Sequence, residues 1–458
     1  MAELAVVSRR VLGPDGPRPA AVLIEGGRIA GLADPQAVPA GCPVLDAGNR
    51  VVMPGLVDAH VHINEPGRTE WEGFLTATRA AAAGGVTTLV DMPLNSVPAT
   101  TGVAALEAKL AAARGRLHVD CGFWGGVVPG NAGAIEGLVN AGVPGFKCFL
   151  VPSGVDEFEH VGEADLRLAM PILARLGVPL LVHAELEGPV AVEAIGATGA
   201  DLDDPSRYAG YLASRPPSWE TEAIRLMARL SGETGCRVHI VHLSSAEALP
   251  ILSEARGRGL PITVETCPHY LFFAAEDIKE RRTEYKCSPP IRERANRERL
   301  WAGLGDGTID MVVSDHSPCT PELKGLEAGD FQRAWGGIAS LQFRLAVVWK
   351  EAQRRGFGLE HLVRWMCRRP AELAGLAGRK GALEPGYDAD LVIWDPDAAF
   401  ELGADAVLHR HAVTPYRGQR LLGVVETTLL RGVVAYDRGS FPSSPRGDTL
   451  LRGHDQPH

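Results

Sequence analysis

The chain has 458 residues, and its 46 basic and 56 acidic side chains give a formal net charge of −10. Apolar residues make up 45% and charged residues 22%, which excludes an intrinsically disordered chain, because such chains combine few apolar residues with a large net charge. An acidic chain with no basic run and no apolar stretch of about 18 residues is a poor candidate for binding nucleic acid or a membrane.

The cysteines and the first residues both favour a cytoplasmic protein. The eight cysteines are scattered with no CxxC pair, which argues against a zinc ribbon or a disulfide scaffold and predicts reduced thiols. The start, MAELAVVSRRVLGPDGPRP, has no basic region followed by an apolar run, so we expect no secretory signal.

Both ends of the chain carry short β-strand signals. Near the start, AVLIEGGRIAGL places two apolar runs around Gly26 and Gly27, a pattern typical of a β-hairpin. Towards the end, GYDADLVIWDP and LLGVVETTLLRGVVAYDRG are β-branched runs broken by Gly and Asp. We therefore predict that residues 1–52 and 383–458 form one small β-sandwich domain from both chain ends.

The segment between them, residues 53–382, alternates short apolar runs with helical stretches such as 71–83 and 163–176. The apolar runs are VDAHVH (57–62), VTTLVDM (86–92), LHVDCGFW (117–124), GFKCFL (145–150), PLLVHAE (179–185), RVHIVHL (237–243), PITVET (261–266) and DMVVSD (310–315). Alternating strands and helices favour a parallel sheet. Eight such units predict an α/β fold, a (β/α)₈ TIM-type barrel.

Side chains of the types that bind metals stand at the ends of several predicted strands. His60 and His62 alternate on the first strand and so point to one face, while His183, His242 and Asp315 close the fifth, sixth and eighth strands. Active sites of such barrels lie at the C-terminal strand ends, so we expect these side chains to meet. Each has a common structural explanation alone, since an HxH pair is a weak motif and a strand-end Asp can cap a helix. No such structural explanation accounts for all of these side chains together.

Lys147 lies inside the apolar strand GFKCFL, where a lysine is costly unless it is paired or neutral. Burial lowers the pKa of a lysine, and the neutral amine can add carbon dioxide to form a carbamate whose two oxygens can bridge two ions. The alternative is a lysine that extends to solvent from an edge strand. Four imidazoles, a carbamate and a carboxylate favour two divalent ions such as zinc.

The sixth strand contains two histidines, and strand alternation distinguishes them. Residues 238, 240 and 242 share one face, and 242 is nearer the C-terminal end of the strand. We therefore predict that His242 points into the site and that His239 faces the surrounding helices. His269 and His316 are candidates for contacts around the ligands.

Five segments together resemble a known family. PGLVDAHVH (54–62), GFKCFL (145–150), VHAE (182–185), VHLSSAEAL (241–249) and SDHSP (314–318) are similar to the cyclic amidohydrolases, which include dihydroorotase, dihydropyrimidinase (hydantoinase) and allantoinase. The resemblance runs along nearly the whole chain. It implies a binuclear metal centre with a carboxylated lysine and a homo-oligomer, often a tetramer.

Within this family, the loops resemble those of the allantoinases. In HVHINEPGRTEWEGF (60–74), Asn64 stands where dihydroorotases usually have an arginine that holds the substrate carboxylate, and allantoin has no carboxylate. The loop VPSGVDEF (151–158) lacks the tyrosine expected of hydantoinases. Further similar segments are MPLNSVPAT (92–100), ETCPHYLFF (265–273), KCSPPIR (286–292), SDHSPC (314–319) and AWGGIASLQ (334–342).

The resemblance implies metal-dependent hydrolysis of the ring amide of allantoin to give allantoate, a step of purine and ureide degradation. It assigns His60, His62 and Asp315 to one ion. It assigns His183 and His242 to the other ion, with carboxylated Lys147 as the bridge.

Asp315 would also act as the general base and then give the proton to the departing ring nitrogen. Small polar loop residues are candidates to hold the ureido arm of the substrate, although such residues are commonly turn formers. These candidates are Asn64, Asn95, Ser153, Ser288 and the backbone of Gly336 and Gly337.

The sequence leaves three other functions open. A hydantoinase or dihydropyrimidinase would use the same centre with a different pocket. A dihydroorotase is disfavoured because position 64 is not an arginine. A non-enzymatic scaffold, as among relatives that have lost their ligands, would bind no stoichiometric metal.

Overall fold

The structure, a computed structural model, describes residues 2–13, 16–188 and 204–453. The remaining residues that the domain prediction includes lie outside these ranges. The strands are β1 (Leu4–Gly13), β2 (Gly16–Glu25), β3 (Arg28–Ala33), β4 (Val44–Asp46), β5 (Val51–Pro54), β6 (Leu56–Val61), β7 (Val86–Asp91), β8 (Asp120–Phe123), β9 (Gly125–Gly126), β10 (Phe146–Phe149), β11 (Leu180–His183), β12 (Val238–Ile240), β13 (Ile262–Thr266), β14 (Met311–Val312), β15 (Leu391–Glu401), β16 (Arg420–Leu430), β17 (Val433–Asp437) and β18 (Thr449–Leu450).

The α-helices of the described residues lie mainly between the central strands. They are α1 (Phe74–Ala83), α2 (Val103–Ala113), α3 (Ile135–Asn140), α4 (Glu163–Leu176), α5 (Tyr208–Ser214), α6 (Pro217–Thr234), α7 (Leu249–Gly257), α8 (Pro268–Phe272), α9 (Arg294–Asp306), α10 (Arg344–Arg354), α11 (Leu359–Val363) and α12 (Arg369–Leu373). In the described part of the chain, none of the helices combines the length and the apolar character needed to cross a membrane.

Strands β6 to β14 form a closed parallel barrel. β6, β7 and β8 pair in order, and β9 to β14 pair in order, with β8 and β9 forming the two halves of the third strand around Trp124. A parallel bridge between Val61 and His316, with a hydrogen bond from His62 N to His316 O (2.8 Å), joins the eighth strand to the first. All eight predicted strands are present, and the predicted (β/α)₈ barrel is confirmed.

Helix ends follow local chemistry that the apolar spacing does not contain. α4 has the predicted range of 163–176 and ends at Gly177, whose φ of 66° is left-handed and favours glycine. α1 begins at Phe74 rather than at the predicted residue 71, because the Glu65 carboxylate accepts a hydrogen bond from Phe74 N (2.8 Å) and caps the helix there.

Both chain ends meet in one sheet with the strand order β17-β16-β15-β5-β1-β2-β3, and β4 lies beside β1. The predicted hairpin is confirmed: Glu25 pairs with Arg28 across Gly26 and Gly27, which have φ of 55° and 72°. A second hydrophobic core lies among the strands of this sheet and includes Val22, Val52 and Leu391. The predicted β-domain made from both ends is therefore present.

The end of the described chain returns to the barrel. β18 pairs in parallel with β8, with Thr449 opposite Cys121 and Leu450 opposite Gly122. The segment predicted as the C-terminal part of the β-domain thus also supplies a strand to the barrel sheet. β8 thus pairs with β7 along one edge and with β18 along the other, whereas β9 pairs with β10.

Candidate metal centre and substrate cavity

The barrel brings the six predicted ligand side chains to one end. His60 lies in β6, Lys147 in β10 and His183 at the end of β11, while His242 and Asp315 follow β12 and β14. All of them, with His62 directly after β6, line one cavity of about 370 Å³. Each is at most 6% exposed.

The imidazoles and the carboxylate are close enough to share ions. The Nε2 atoms of His60 and His62 lie 3.2 and 3.6 Å from Asp315 Oδ1. The ring centroids of His183 and His242 are 4.6 Å apart, and those of His60 and His242 are 5.5 Å apart. The donors therefore form one continuous group on the cavity lining.

Three of the four histidines are oriented by a hydrogen bond at one ring nitrogen. His60 Nδ1 lies 2.5 Å from Glu265 Oε1, and His62 Nδ1 lies 3.1 Å from Leu94 O. His183 uses Nε2, which is 2.7 Å from Glu185 Oε2, and its Nδ1 has no partner among the described residues. Metal-binding histidines characteristically donate one N–H in this way and leave the other nitrogen for the ion.

Glu185 is itself held by Arg215. The guanidinium donates to both carboxylate oxygens, from Nε at 3.0 Å and from Nη2 at 2.7 Å. Burial opposes the charge on Glu185, but Arg215 and His183 outweigh it and hold the pKa of this carboxyl at about 2. Glu185 is therefore ionised at neutral pH and fixes the ring of His183.

Lys147 is fully buried, and its Nζ has no hydrogen-bond partner in the described part of the chain. The amine lies 4.8 Å from the centroid of the Phe149 ring. Burial lowers the pKa of Lys147 to about 8, against the opposing influence of Glu265 and Asp315. The prediction that this lysine is buried, rather than extended to solvent, is confirmed.

The prediction for His239 is wrong, because this residue faces the barrel interior. It lies in register with Leu181 and Thr263, and its Nε2 is 2.9 Å from Glu265 Oε2, the carboxylate that also holds His60. Neighbouring residues of a parallel sheet that are in register point to the same side. His242 reaches the cavity only because its backbone turns after Ile240, with a left-handed φ of 39°.

His269 and His316 have different surroundings. His269 is fully buried, neither ring nitrogen has a partner among the described residues, and burial lowers its pKa to about 3. Its imidazole nitrogen lies within 4.8 Å of the ligand atoms of Cys267 and Asp315. His316 instead lies 3.3 Å from Glu72 Oε2 and accepts a hydrogen bond from Ser340 N, which ties two loops together.

The predicted substrate contacts divide into two groups. Asn95, Ser153, Ser288 and Gly336 line the cavity. Asn64 lies behind Asn95, whose Nδ2 donates to Asn64 Oδ1 (3.1 Å).

Gly337 also lies outside the lining. A Cβ at this position would collide with Ser317 O, so the glycine allows two loop backbones to approach closely.

Sequence reasoning missed one wall of the cavity. Tyr211 and Arg215 come from α5 and the residue after its last turn, and Lys286 and Trp335 come from later loops. No periodic pattern marks these residues. The sequence signal that could have pointed to Arg215 is Glu185, two residues after His183 in VHAE, because a buried carboxylate requires a cationic partner.

Comparisons with known proteins agree with this geometry. Residues 51–434 match the model of the amidohydrolase family. The chain is 49% identical to an allantoinase of Streptomyces avermitilis over 98% of this chain and 99% of that protein, and 45% identical to an allantoinase of Arabidopsis thaliana over 97% and 90%. An L-hydantoinase (dihydropyrimidinase) structure from Arthrobacter aurescens superposes with a TM-score of 0.90 at 33% identity, covering 99% and 100%. The chain therefore belongs to the amidohydrolase family, and within it to the group that the curated allantoinases form.

Proposed function

We propose that this protein hydrolyses the ring amide of allantoin to give allantoate. The observation that carries the proposal is the gathering of four imidazoles, a carboxylate and a buried amine around one cavity. The near full-length identity to allantoinases supports this substrate over other cyclic amides.

The donor set suits a pair of divalent ions, for which we propose zinc. The buried amine of Lys147 supports this, since it has no hydrogen-bond partner among the described residues. As a carbamate it would gain two oxygen donors between the ions. His60, His62 and Asp315 would hold one ion, and His183 and His242 the other. Bound ions of this kind make water acidic and polarise an amide carbonyl.

The chain's own residues position the proton transfer. The Asp315 carboxylate would accept the proton of the attacking water and then give it to the departing ring nitrogen. Ser317 Oγ donates to Asp315 Oδ1 (2.9 Å) and keeps the carboxylate turned towards His60 and His62. Burial raises the pKa of the Asp315 carboxyl.

We also propose the wider organisation of the protein. The family resemblance supports a homotetramer. The eight cysteines are all free, seven of them buried, which supports a reducing compartment such as the cytoplasm. We propose a catalytic barrel over 53–382 flanked by the two parts of the β-domain, 1–52 and 383–458. The strands depart from these bounds at two places, because β5 continues to Pro54 within the terminal sheet and β18 pairs with β8 of the barrel.

The test is an assay of purified protein for allantoate formation, with hydantoin and dihydrouracil as competing substrates and metal content measured on the same sample. We expect allantoin to have the highest kcat/KM and about two divalent ions per chain. Faster opening of hydantoin or dihydrouracil would assign the centre to another cyclic amide. Protein without stoichiometric metal and without turnover would indicate a scaffold.

A further inference from the structure

Two buried lysines, Lys286 and Lys324, donate hydrogen bonds to the loop of residues 332–337, which lines one side of the cavity. Lys324 Nζ donates to the backbone oxygens of Lys286 (2.8 Å), Trp335 (3.0 Å) and Gly337. Lys286 Nζ donates to the backbone oxygens of Gln332 (3.1 Å) and Ala334 (2.6 Å). Neither ammonium forms a salt bridge within the described residues.

The two lysines differ in what they leave unsatisfied. An ammonium has three N–H donors. Lys324 uses all three on backbone oxygens and does not line the cavity. Lys286 uses two, lies over the Tyr211 ring at 4.9 Å and lines the cavity. It therefore has one donor left for a ligand.

Arg215 adds a second donor to the same wall. Its Nε and Nη2 bind Glu185, which leaves Nη1 without a hydrogen bond in the part of the chain that the structure describes. Tyr211 lines the cavity with both cations, and its hydroxyl donates to Cys287 O and lies 2.7 Å from Ser288 Oγ. Burial, together with Lys324 and Arg215, lowers the pKa of Lys286 to about 8, so the ammonium form still predominates at neutral pH.

Lys286 lines the cavity, and its contacts within the described residues, with Gln332, Ala334 and Tyr211, include none of the six ligand side chains, which mark the reacting end of the cavity. The ring amide has to lie at that reacting end, beside Asp315. The ureido arm of allantoin extends from the ring and carries one carbonyl oxygen, which needs donors. Neutral hydroxyls of Ser153 and Ser288 line the same cavity and can meet the N–H groups of the arm.

We propose that Lys286, with Arg215 beside it, forms the subsite that receives the ureido carbonyl of allantoin and selects allantoin over hydantoins without this arm. This inference rests on the proposed allantoin hydrolysis. Its physical basis is the cost of an unpaired buried donor. A substrate without the ureido arm leaves this donor unpaired, which costs more binding free energy than the loss of an apolar contact. Lys286 is thus a specificity-determining residue for the reaction.

The test compares Lys286→Met with the matched control Lys324→Met on two substrates, allantoin and unsubstituted hydantoin. We expect Lys286→Met to lower the allantoin-to-hydantoin ratio of kcat/KM by about 10- to 100-fold. Lys324→Met also removes an ammonium that donates to backbone oxygens of residues 332–337, but it should change both rates together and keep the ratio within about threefold, because this ammonium has no donor left for the substrate.

Binding provides a readout that does not depend on turnover. In an Asp315→Asn background, calorimetry should show that Lys286→Met weakens allantoin binding by about tenfold or more and hydantoin binding much less. Lys286→Gln, which keeps an N–H donor, should recover part of the preference and serves if the Met variant does not fold. On wild-type protein, allantoin should have the higher kcat/KM.

A failure of the proposed function can be distinguished from a failure of the specificity role of Lys286. Wild-type protein that opens hydantoin but not allantoin would refute the proposed function. Wild-type protein that opens allantoin, with equal losses on both substrates in the Lys286 variants, would overturn the specificity role and leave the proposed function standing.

Discussion

Lys147 is buried in β10 with no hydrogen-bond partner for its amine among the described residues. A buried ammonium without partners is costly, and burial already lowers the pKa of Lys147 to about 8. The neutral amine can react with carbon dioxide to form an anionic carbamate. Cations bound beside this carbamate would remove the cost of burying the charge. The burial of this one residue is therefore the observation that supports the proposed carbamate and the proposed pair of ions.

We predict that Lys147→Ala abolishes turnover and loses the metal pair, because no bridging oxygens remain. Short carboxylic acids such as acetate should restore part of both, since they can occupy the space of the carbamate. Metal analysis and allantoate formation, each with and without acetate, test this. The exposed Lys279→Ala serves as the control, and a Lys147 variant with full metal content and full activity would refute the bridging role.

At the scale of elements, the connection between β15 and β16 packs onto the barrel through His409. This side chain is 4% exposed, its ring centroid lies 4.6 Å from that of His316, and its Nε2 accepts a hydrogen bond from Gln342 N (3.4 Å). Burial lowers the pKa of His409 well below 6.5. The folded state therefore favours the neutral imidazole at this position.

The sign of the pH effect follows from proton counting. Below pH 6.5 the unfolded state takes up a proton at His409 that the folded state does not, so the free energy of unfolding falls as the pH falls. We predict that His409→Gln, which keeps an acceptor for Gln342 N, reduces this slope between pH 5 and 6.5 by up to about 1.4 kcal/mol per pH unit. Denaturant unfolding at several pH values measures it.

The exposed His160→Gln is the matched control for that series. It removes a histidine without removing a buried one, so its slope should equal that of the wild type. Identical slopes for His409→Gln and the wild type would show that His409 does not contribute to acid destabilisation.

At the scale of the whole molecule, Lys380 joins the barrel to the terminal sheet. Its buried Nζ donates to Asp120 Oδ2 in β8 (2.7 Å) and to Asp390 Oδ2 just before β15 (2.7 Å), and it lies 2.9 Å from Asp388 Oδ2. Arg431 forms a further salt bridge with Asp120. The three carboxylates could hold a metal ion by their spacing, but the ammonium already provides the cation.

We predict that Lys380→Met lowers the free energy of unfolding by about 3–5 kcal/mol, because it leaves buried carboxylates without their shared cation. The double variant Lys380→Met with Asp120→Asn should lose less than the sum of the two single losses, since the two side chains interact directly. Unfolding midpoints of the four proteins measure this coupling. Additive losses would show that the junction does not depend on this ion pair.

Much of the fold and of the centre was accessible from the sequence. The eight barrel strands and the terminal β-domain followed from apolar patterning, because each strand contributes the same local signal wherever it lies. The gathering of His60, His183 and Asp315 followed from one general property, that C-terminal strand ends share a rim. Family resemblance then supplied the roles that remain proposals.

The rest depends on how distant segments pack. Alternation gave the wrong side for His239, because the strand ends at Ile240 and the backbone turns before His242. Lys286 and Arg215 belong to loops whose neighbours are far away in the sequence, so no local pattern could place them in the cavity wall. Sequence by itself determined the repeated elements and the six candidate ligand side chains. Only tertiary structure decided where each side chain points, because that direction depends on contacts between segments that local patterns do not encode.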